Sequence, residues 1–273
     1  MTKKNVLIVS GYLGLREGYI DLVEENHRLY SNLHSYDYMF VEEFKFLDEI
    51  IDPEVDFSWF KVAKCLELLK LAHWDYIFWI DADSIFWNMN RNFDDLFLLE
   101  RDFVFTGDSW DVFNGGHFLI RNSKWSIDFI QDWLSMRKII APNLRTSHKG
   151  KLGRLMDQPA MNIFLYEGSA NVRDLESSFN SVNGYSGNPE RLHKFFQFTH
   201  APTSRIRLRK TNSLISKNLS SYVMVVVQHR LNAYPFKMPG KRLDLVRADI
   251  LHFPGDKKSL IPAYCGRTTK IES

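Results

Sequence analysis

Short apolar runs of strand length alternate along the chain with longer stretches whose apolar residues recur every three or four positions. The first run, NVLIVS at residues 5–10, leads straight into GYLG at 11–14, the pattern of a fully buried strand opening onto a glycine loop. A helical stretch over about residues 15–33 follows, and then YDYMFVEE (36–43) as a second strand. In SWFKVAKCLELLKLAHW (58–74), Phe60, Ala63, Leu66, Leu69 and Ala72 have helical spacing, and Ser58 is a residue type suited to cap that helix. YIFWI (76–80) reads as a central strand. Strand, helix and strand in this order predict an open α/β sheet with a right-handed crossover and a parallel core, with functional groups at the carboxyl ends of the strands.

RDFVFTGD (101–108) and GGHFLIRN (115–122) predict further strands, and SKWSIDFIQDWLSMRKII (123–140) a helix capped by Ser123. APNLRTSHKGKLGR (141–154) is basic, poor in large apolar residues and bracketed by Pro142 and Gly153, so it reads as a mobile loop able to close over a ligand. MDQPAMNIFLY (156–166) predicts a short helix, and YVMVVVQHR (222–230) and RADILHFPG (247–255) predict strands. RIRLRK (205–210) alternates basic and apolar residues, as an exposed strand edge does.

At 273 residues and 45% hydrophobic content the chain can bury a large core, and one elaborated domain fits that length. Lys and Arg number 35 against 33 Asp and Glu, a formal balance of +2, which gives no electrostatic case for nucleic acid as partner. Cys65 and Cys265 are too few for a disulfide framework and have no metal-ligand spacing. The opening run VLIVS is too short for a signal peptide, and no segment approaches the ~20 apolar residues of a membrane span. A soluble, cytoplasmic protein is the expectation.

One stretch sits badly with simple burial. YIFWIDADSIFWN (76–88) places Asp81 and Asp83 one residue apart inside an aromatic run. Buried carboxylates need a cation, strong donors or an opening onto water. Hard carboxylate oxygens at a strand end suit Mg2+ or Mn2+, although a lone pair of this kind is more often a solvated turn or a helix cap. In ILHFPGDKK (250–258), His252 ends a strand where a neutral imidazole could complete a metal shell. Gly255 would let backbone approach phosphate, and Lys257 or Lys258 would offset its charge. Asn114 and Gly115 precede a strand in FNGGHFLIRN (113–122), a layout that lets backbone and amide groups come close to a sugar. Asp157 and Gln158 stand at a helix start, where Asp157 has the alternative role of N-cap.

These segments in this order, from SWFKVAKCLELL through WIDADSIFWN, FNGGHFLIRNSKWSIDFIQDW, DQPAMNIFL and VVVQHRLNAYPF to DILHFPGDKK, resemble glycosyltransferase family 34. It is the family of plant xyloglucan xylosyltransferases and fungal galactosyl- and mannosyltransferases of the Golgi. The resemblance runs from about residue 58 to 258. It implies a GT-A fold, a Rossmann-like mixed central sheet flanked by helices, in one domain with its nucleotide-binding part in about residues 1–110 and its acceptor side in 111–273. It also implies a retaining, metal-dependent transferase that moves a hexose or pentose from a nucleotide sugar, foremost a UDP-sugar, to a glycan or glycoconjugate hydroxyl. Asp81, Asp83 and His252 would hold the Mn2+ or Mg2+ ion. Lys61, Asp81, Asn114, Gly115, Gly255 and Lys257 would bind the donor, and Asp157 and Gln158 would stand beside the reacting centre. The family's cysteine after HF-x-G is replaced here by Asp256. Its plant and fungal members are membrane-anchored, whereas this chain starts almost directly at its first strand, which suggests a bacterial or viral type of enzyme. Two rival readings of the same residues are a Mg2+-dependent phosphatase of the haloacid-dehalogenase type and an inactive carbohydrate-binding protein.

Overall fold

The structure, a computed structural model, describes residues 4–14, 16–42, 53–97, 99–107, 113–138, 140–145, 152–154, 156–167, 219, 221–226, 231, 233 and 248–268. The first apolar run forms β1 (Val6–Gly11), buried at every position. It pairs in parallel with β2 (Asp37–Val41) on one side and β3 (Tyr76–Ile80) on the other. Period-two alternation then sorts the side chains to two faces. Leu7, Val9, Ile77 and Trp79 enter one core, while Val6, Ile8, Tyr76, Phe78 and Ile80 enter the other. At roughly 1.5–3 kcal/mol for each large apolar side chain withdrawn from water, these two layers are the main source of stability.

The sheet has six strands in the order β2-β1-β3-β6-β5-β9, with β5 at Phe103–Thr106, β6 at His117–Arg121 and β9 at Val223–Val226. The predicted parallel core holds for β2-β1-β3 and for the β5-β9 pair, but β6 runs antiparallel to both β3 and β5. Only residues 107–116 join β5 to β6, too short a stretch for a helical crossover, so β6 turns back beside its predecessor. The Asn114 N–H donates to the Thr106 carbonyl (2.9 Å) within that return. The sheet is therefore mixed.

Helices α1 (Tyr19–His34) and α2 (Pro53–Leu71) flank the parallel half, and α4 (Lys124–Ser135) packs on α2. The short α3 spans Asp94–Phe97. Phe60, Ala63, Leu66 and Leu69 are buried as their spacing predicts. Ser58, however, does not cap α2. The helix starts five residues earlier at Pro53, whose fixed φ and missing N–H suit a first turn. Ser58 instead uses its hydroxyl inside the helix to accept the Asp157 N–H (3.2 Å). Ser123 does cap α4, accepting the Ser126 N–H at 3.1 Å.

The basic stretch read as a loop contains an antiparallel pair, β7 (Ile140–Arg145) and β8 (Leu152–Arg154). Pro142 falls in the register irregularity between Ala141 and Arg145, where the ladder does without its missing N–H. Residues 146–151, and RIRLRK at 205–210, lie outside the described residues. The helix α5 (Asp157–Glu167) follows β8. Among the described residues, no helix is long and apolar enough to cross a membrane.

A second, two-stranded sheet pairs β4 (Ser84–Phe86) with β10 (Ile250–His252) and sets His252 opposite Ser84. A 3-10 segment, Gly255–Leu260, leads from it to α6 (Ile261–Thr268). His27 of α1 fixes the small sheet from behind, with Nε2 at 2.8 Å from the Ser84 carbonyl. Because a carbonyl only accepts, Nε2 carries the proton, and Nδ1 is left buried without a hydrogen bond among the described residues. Burial lowers the His27 pKa to about 4 against a smaller opposing effect of the Ser84 carbonyl. Between pH 6.5 and about 4 the unfolded chain therefore binds a proton at His27 that the folded chain refuses, and stability falls as pH drops through that window, by roughly 3 kcal/mol. His27→Gln keeps a donor for the Ser84 carbonyl and should lose distinctly less stability over this window in urea melts. Equal losses in the two proteins would contradict the assignment.

Candidate active site

The two carboxylates that sat badly in the aromatic run leave β3 in different directions. The Asp81 N–H still makes the last rung to the Gly116 carbonyl (2.9 Å), after which the chain breaks from the sheet. The Asp81 carboxylate accepts from Trp79 Nε1 (2.6 Å) and from Lys61 Nζ (3.3 and 3.4 Å). Asp83 turns to the small sheet, where the Phe253 N–H donates to its carbonyl (2.8 Å). Its Oδ1 is buried, has no hydrogen bond among the described residues, and lies 3.3 Å from His252 Nε2. Burial would push the Asp83 carboxyl up, but the cations around it, His252 first and then Lys258 and Lys61, hold it below the usual carboxylate range.

Lys61 is the other centre of charge. Projecting from α2, its ammonium donates to the Gly115 carbonyl (2.9 Å) and pairs with Asp81 and with Asp157 (3.3 Å). Burial opposes its charge, yet the two carboxylates outweigh burial and raise its pKa. One ammonium shared by two carboxylates leaves part of the cost of burying charge uncovered, and it falls on Asp157. Burial raises the Asp157 pKa against the pull of Lys61, and Asp81 adds to the rise. At the start of α5, Asp157 thus faces the ammonium, and its own carbonyl accepts from Trp133 Nε1 (3.0 Å).

The turn before β6 closes over this pair. Gln158 Oε1 accepts the Gly115 N–H (3.0 Å), and Asn114 Oδ1 accepts the Gly116 N–H (2.9 Å). A Cβ on Gly115 would stand 2.8 Å from Asp157 Oδ2 and 3.4 Å from Lys61 Nζ, so only glycine allows the chain to pass there. On the opposite side, His117 sets its Nε2 at 2.8 Å from Ser84 Oγ and its ring edge-on to that of His252 (5.2 Å).

An open cleft of about 290 Å³ lies over these groups, lined by Lys61, Asp81 and Asp83 at its polar end together with Lys258, and by Tyr12, Leu13, Phe57, Phe60 and Met156 elsewhere. Of the residues singled out from sequence, Asn114, Gly115, Asp157 and Gln158 form a layer gathered around Lys61, and His252 reaches the cleft through Asp83. Gly255 and Lys257 do not line it. Gly255 takes φ +64°, in the left-handed region, to start the 3-10 turn, and Lys257 pairs with the exposed Asp256 (2.8 Å). The cation on the cleft is the next residue, Lys258, whose Nζ stands 5.9 Å over the Tyr19 ring. Tyr19, Phe57 and Met156 are the part of the lining that the sequence reading missed, whereas Tyr12 and Leu13 lie inside the GYLG loop that it marked.

Asp83 and His252 fit a hard divalent cation. Two neighbouring donors on an octahedral ion stand roughly 3 Å apart, close to the 3.3 Å between their nearest atoms, and an ion there would give the buried Asp83 Oδ1 its partner. Asp81 is already engaged by Lys61 and Trp79. No group of three or more His, Cys, Asp and Glu is gathered as a cation site among the described residues.

The Lys61 arrangement is testable as a structural unit. Lys61→Met should destabilise the protein by roughly 3 kcal/mol, since it strands the buried Asp157 carboxylate and leaves Asp81 with Trp79 alone among the described residues. Adding Asp157→Asn should restore part of that loss. Strictly additive effects in a denaturant-based double-mutant cycle would contradict the ion bridge.

Residues 6–103 match the model of the galactosyl transferase GMA12/MNN10 family. The match reaches back to β1, ahead of the segments that carry the resemblance in the sequence, and stops at Phe103, before the turn, the α5 start and β10. The chain is 28% identical over 155 residues to Glycosyltransferase 6 of Arabidopsis thaliana, covering 50% of this chain and 34% of that protein. It is 27% identical over 117 residues to galactomannan galactosyltransferase 1 of Cyamopsis tetragonoloba, covering 39% and 25%. The matched segments thus span about a third or less of these relatives' lengths. Among solved structures, a glycosyltransferase involved in glycosylation of the major capsid of PBCV-1 superposes with a TM-score of 0.54 at 15% identity, covering 96% of this chain and 99% of that one. A mixed sheet with this order, flanked by helices and shared with that enzyme across nearly the whole chain, is the GT-A glycosyltransferase fold, and over residues 6–103 the sequence is similar to the galactosyl transferase GMA12/MNN10 family.

Proposed function

We propose that the protein is a retaining, metal-dependent glycosyltransferase that moves a sugar from a nucleoside diphosphate sugar to the hydroxyl of a glycan or glycoconjugate. The observation that carries this reading is the buried Asp83 carboxylate, unsatisfied at Oδ1 and set against His252 at the polar end of an open cleft. The family is described as galactosyl transferases, and the Cyamopsis relative is named a galactosyltransferase. UDP-galactose is accordingly the donor to try first.

In this reading Asp83 and His252 would hold Mn2+ or Mg2+, which would supply positive charge to offset that of the departing diphosphate. Lys258 adds a positive charge on the same side of the cleft. The apolar wall of Tyr12, Leu13, Phe57 and Phe60 offers a face for the base, as the glycine loop after β1 suggests. Asn114 and Gly115 supply the turn against which the sugar lies. Asp157 and Gln158 hold that turn and the Lys61 ammonium in place, and Asp81 is kept by Lys61 and Trp79 at the cleft edge, within reach of ribose. The acceptor hydroxyl attacks the anomeric carbon on the face from which the diphosphate departs. Its proton passes to the leaving phosphate oxygen, so the step needs no side chain as general base. That suits a site whose carboxylates Asp81 and Asp157 are both tied to Lys61.

Release of UDP from UDP-galactose, with and without an added acceptor, tests the proposal. The native protein should turn over only with Mn2+ or Mg2+, and Asp83→Ala should lower the rate by at least roughly 100-fold, the counterpart of several kcal/mol of lost charge stabilisation, with circular dichroism unchanged. Full activity in that variant would sink the assigned role.

A further inference from the structure

We propose that the Tyr19 hydroxyl binds the donor, donating a hydrogen bond to a diphosphate oxygen beside Lys258. This rests on the nucleoside diphosphate reading of the cleft and adds a residue to it. Tyr19 is the first residue of α1, is only 8% exposed, and lines the cleft together with Asp83 and Lys258. Its hydroxyl oxygen is buried and has no hydrogen-bond partner among the described residues. Buried tyrosine hydroxyls are ordinarily paired, since an unmade bond leaves the group's desolvation uncompensated. Nearby tyrosines follow the rule: the Tyr12 hydroxyl donates to Glu17 (2.7 Å) and that of Tyr30 to the Arg91 carbonyl (2.7 Å). Among the described residues the Tyr38 hydroxyl is unpaired like that of Tyr19, but Tyr38 does not line the cleft.

The surroundings specify the missing partner. A neutral phenol beside the Asp83 carboxylate has a proton to offer, and burial, with Glu17, Tyr12 and Asp83 acting in the same sense, keeps it protonated well above its usual range. The group it meets should be an acceptor that also satisfies Lys258, whose Nζ stands 5.9 Å over the same ring and which makes no ion pair among the described residues. An anionic phosphate oxygen meets both demands. A base edge or a sugar hydroxyl would bring the ammonium no negative charge beyond that of the nearby Asp83.

Tyr19→Phe deletes only the hydroxyl. Titration calorimetry with UDP and with inorganic pyrophosphate, each in Mn2+, should show both binding roughly tenfold more weakly than to the native protein, as loss of a hydrogen bond to a charged acceptor predicts. The melting temperature of the ligand-free variant should be unchanged or higher. Lys258→Met should weaken the same two ligands. Native-like affinity of Tyr19→Phe for UDP would overturn the proposal, as would weakening confined to UDP, which would place the contact on the nucleoside. A lowered melting temperature without ligand would also overturn it, because the hydroxyl would then have a structural partner. If the native protein bound neither ligand while Mn2+ was present, the donor reading itself would fall and this assignment with it; binding by the native protein with no effect of Tyr19→Phe would remove the assignment alone.

Discussion

The ammonium of Lys61 joins three segments that are remote in sequence: the Asp81 end of β3, the Gly115 turn before β6, and the Asp157 start of α5. A buried cation with two carboxylates and a carbonyl around it has few arrangements that satisfy every group, and removal of any one leaves charge stranded in a low dielectric. The turn can approach only because Gly115 has no side chain, and the ammonium is delivered there because α2 packs on the sheet and α4. The polar floor of the cleft is thus a consequence of core packing around one lysine.

Asp83 and His252 depend on a different support. They sit at the ends of a two-stranded sheet whose Phe86 and Ile250 enter one core and Ile85 and Leu251 another, and polar contacts add to that support. His27 bonds the Ser84 carbonyl, His117 bonds the Ser84 hydroxyl, and His117 meets the His252 ring edge-on. Two buried imidazoles on either side of one serine fix the strand that carries Asp83. The His117 pKa is pushed well down, first by burial and then by the neighbouring His252, Lys61 and His27, so His117 supports the site as a neutral ring.

Much of this was legible in the sequence because burial imposes periodicity. The strands β1 and β3, the apolar face of α2 and the Ser123 cap follow from local spacing, and the pairing of Asp81 with Asp83 marked the site. What local spacing missed or left open was nonlocal. Ser58 has the chemistry of a cap, but Pro53 starts the helix and Ser58 serves Asp157, 99 residues away. The direction of β6 is set by the length of its connection, which residue types do not announce. The difference between Asp81 and Asp83 depends on Lys61, Trp79 and His252 arriving from other elements. Which of two adjacent lysines faces the cleft depends on the rotation of the 3-10 turn and on Asp256 as a competing partner for Lys257. Tyr19 could not be singled out, because a tyrosine at a helix start shows its unmet hydrogen bond only when its neighbours are placed.

The most direct test of the nucleotide-sugar reading is the thermal stability of the protein with UDP, GDP, CMP and dTDP, each with and without Mn2+. Binding to the native state at about 100 times the dissociation constant adds about 2.7 kcal/mol of stability. The expected result is a rise in melting temperature with UDP that requires Mn2+ and is absent with Mn2+ alone at the same concentration. A folded protein that responds to none of these nucleotides in Mn2+ would contradict the proposed function.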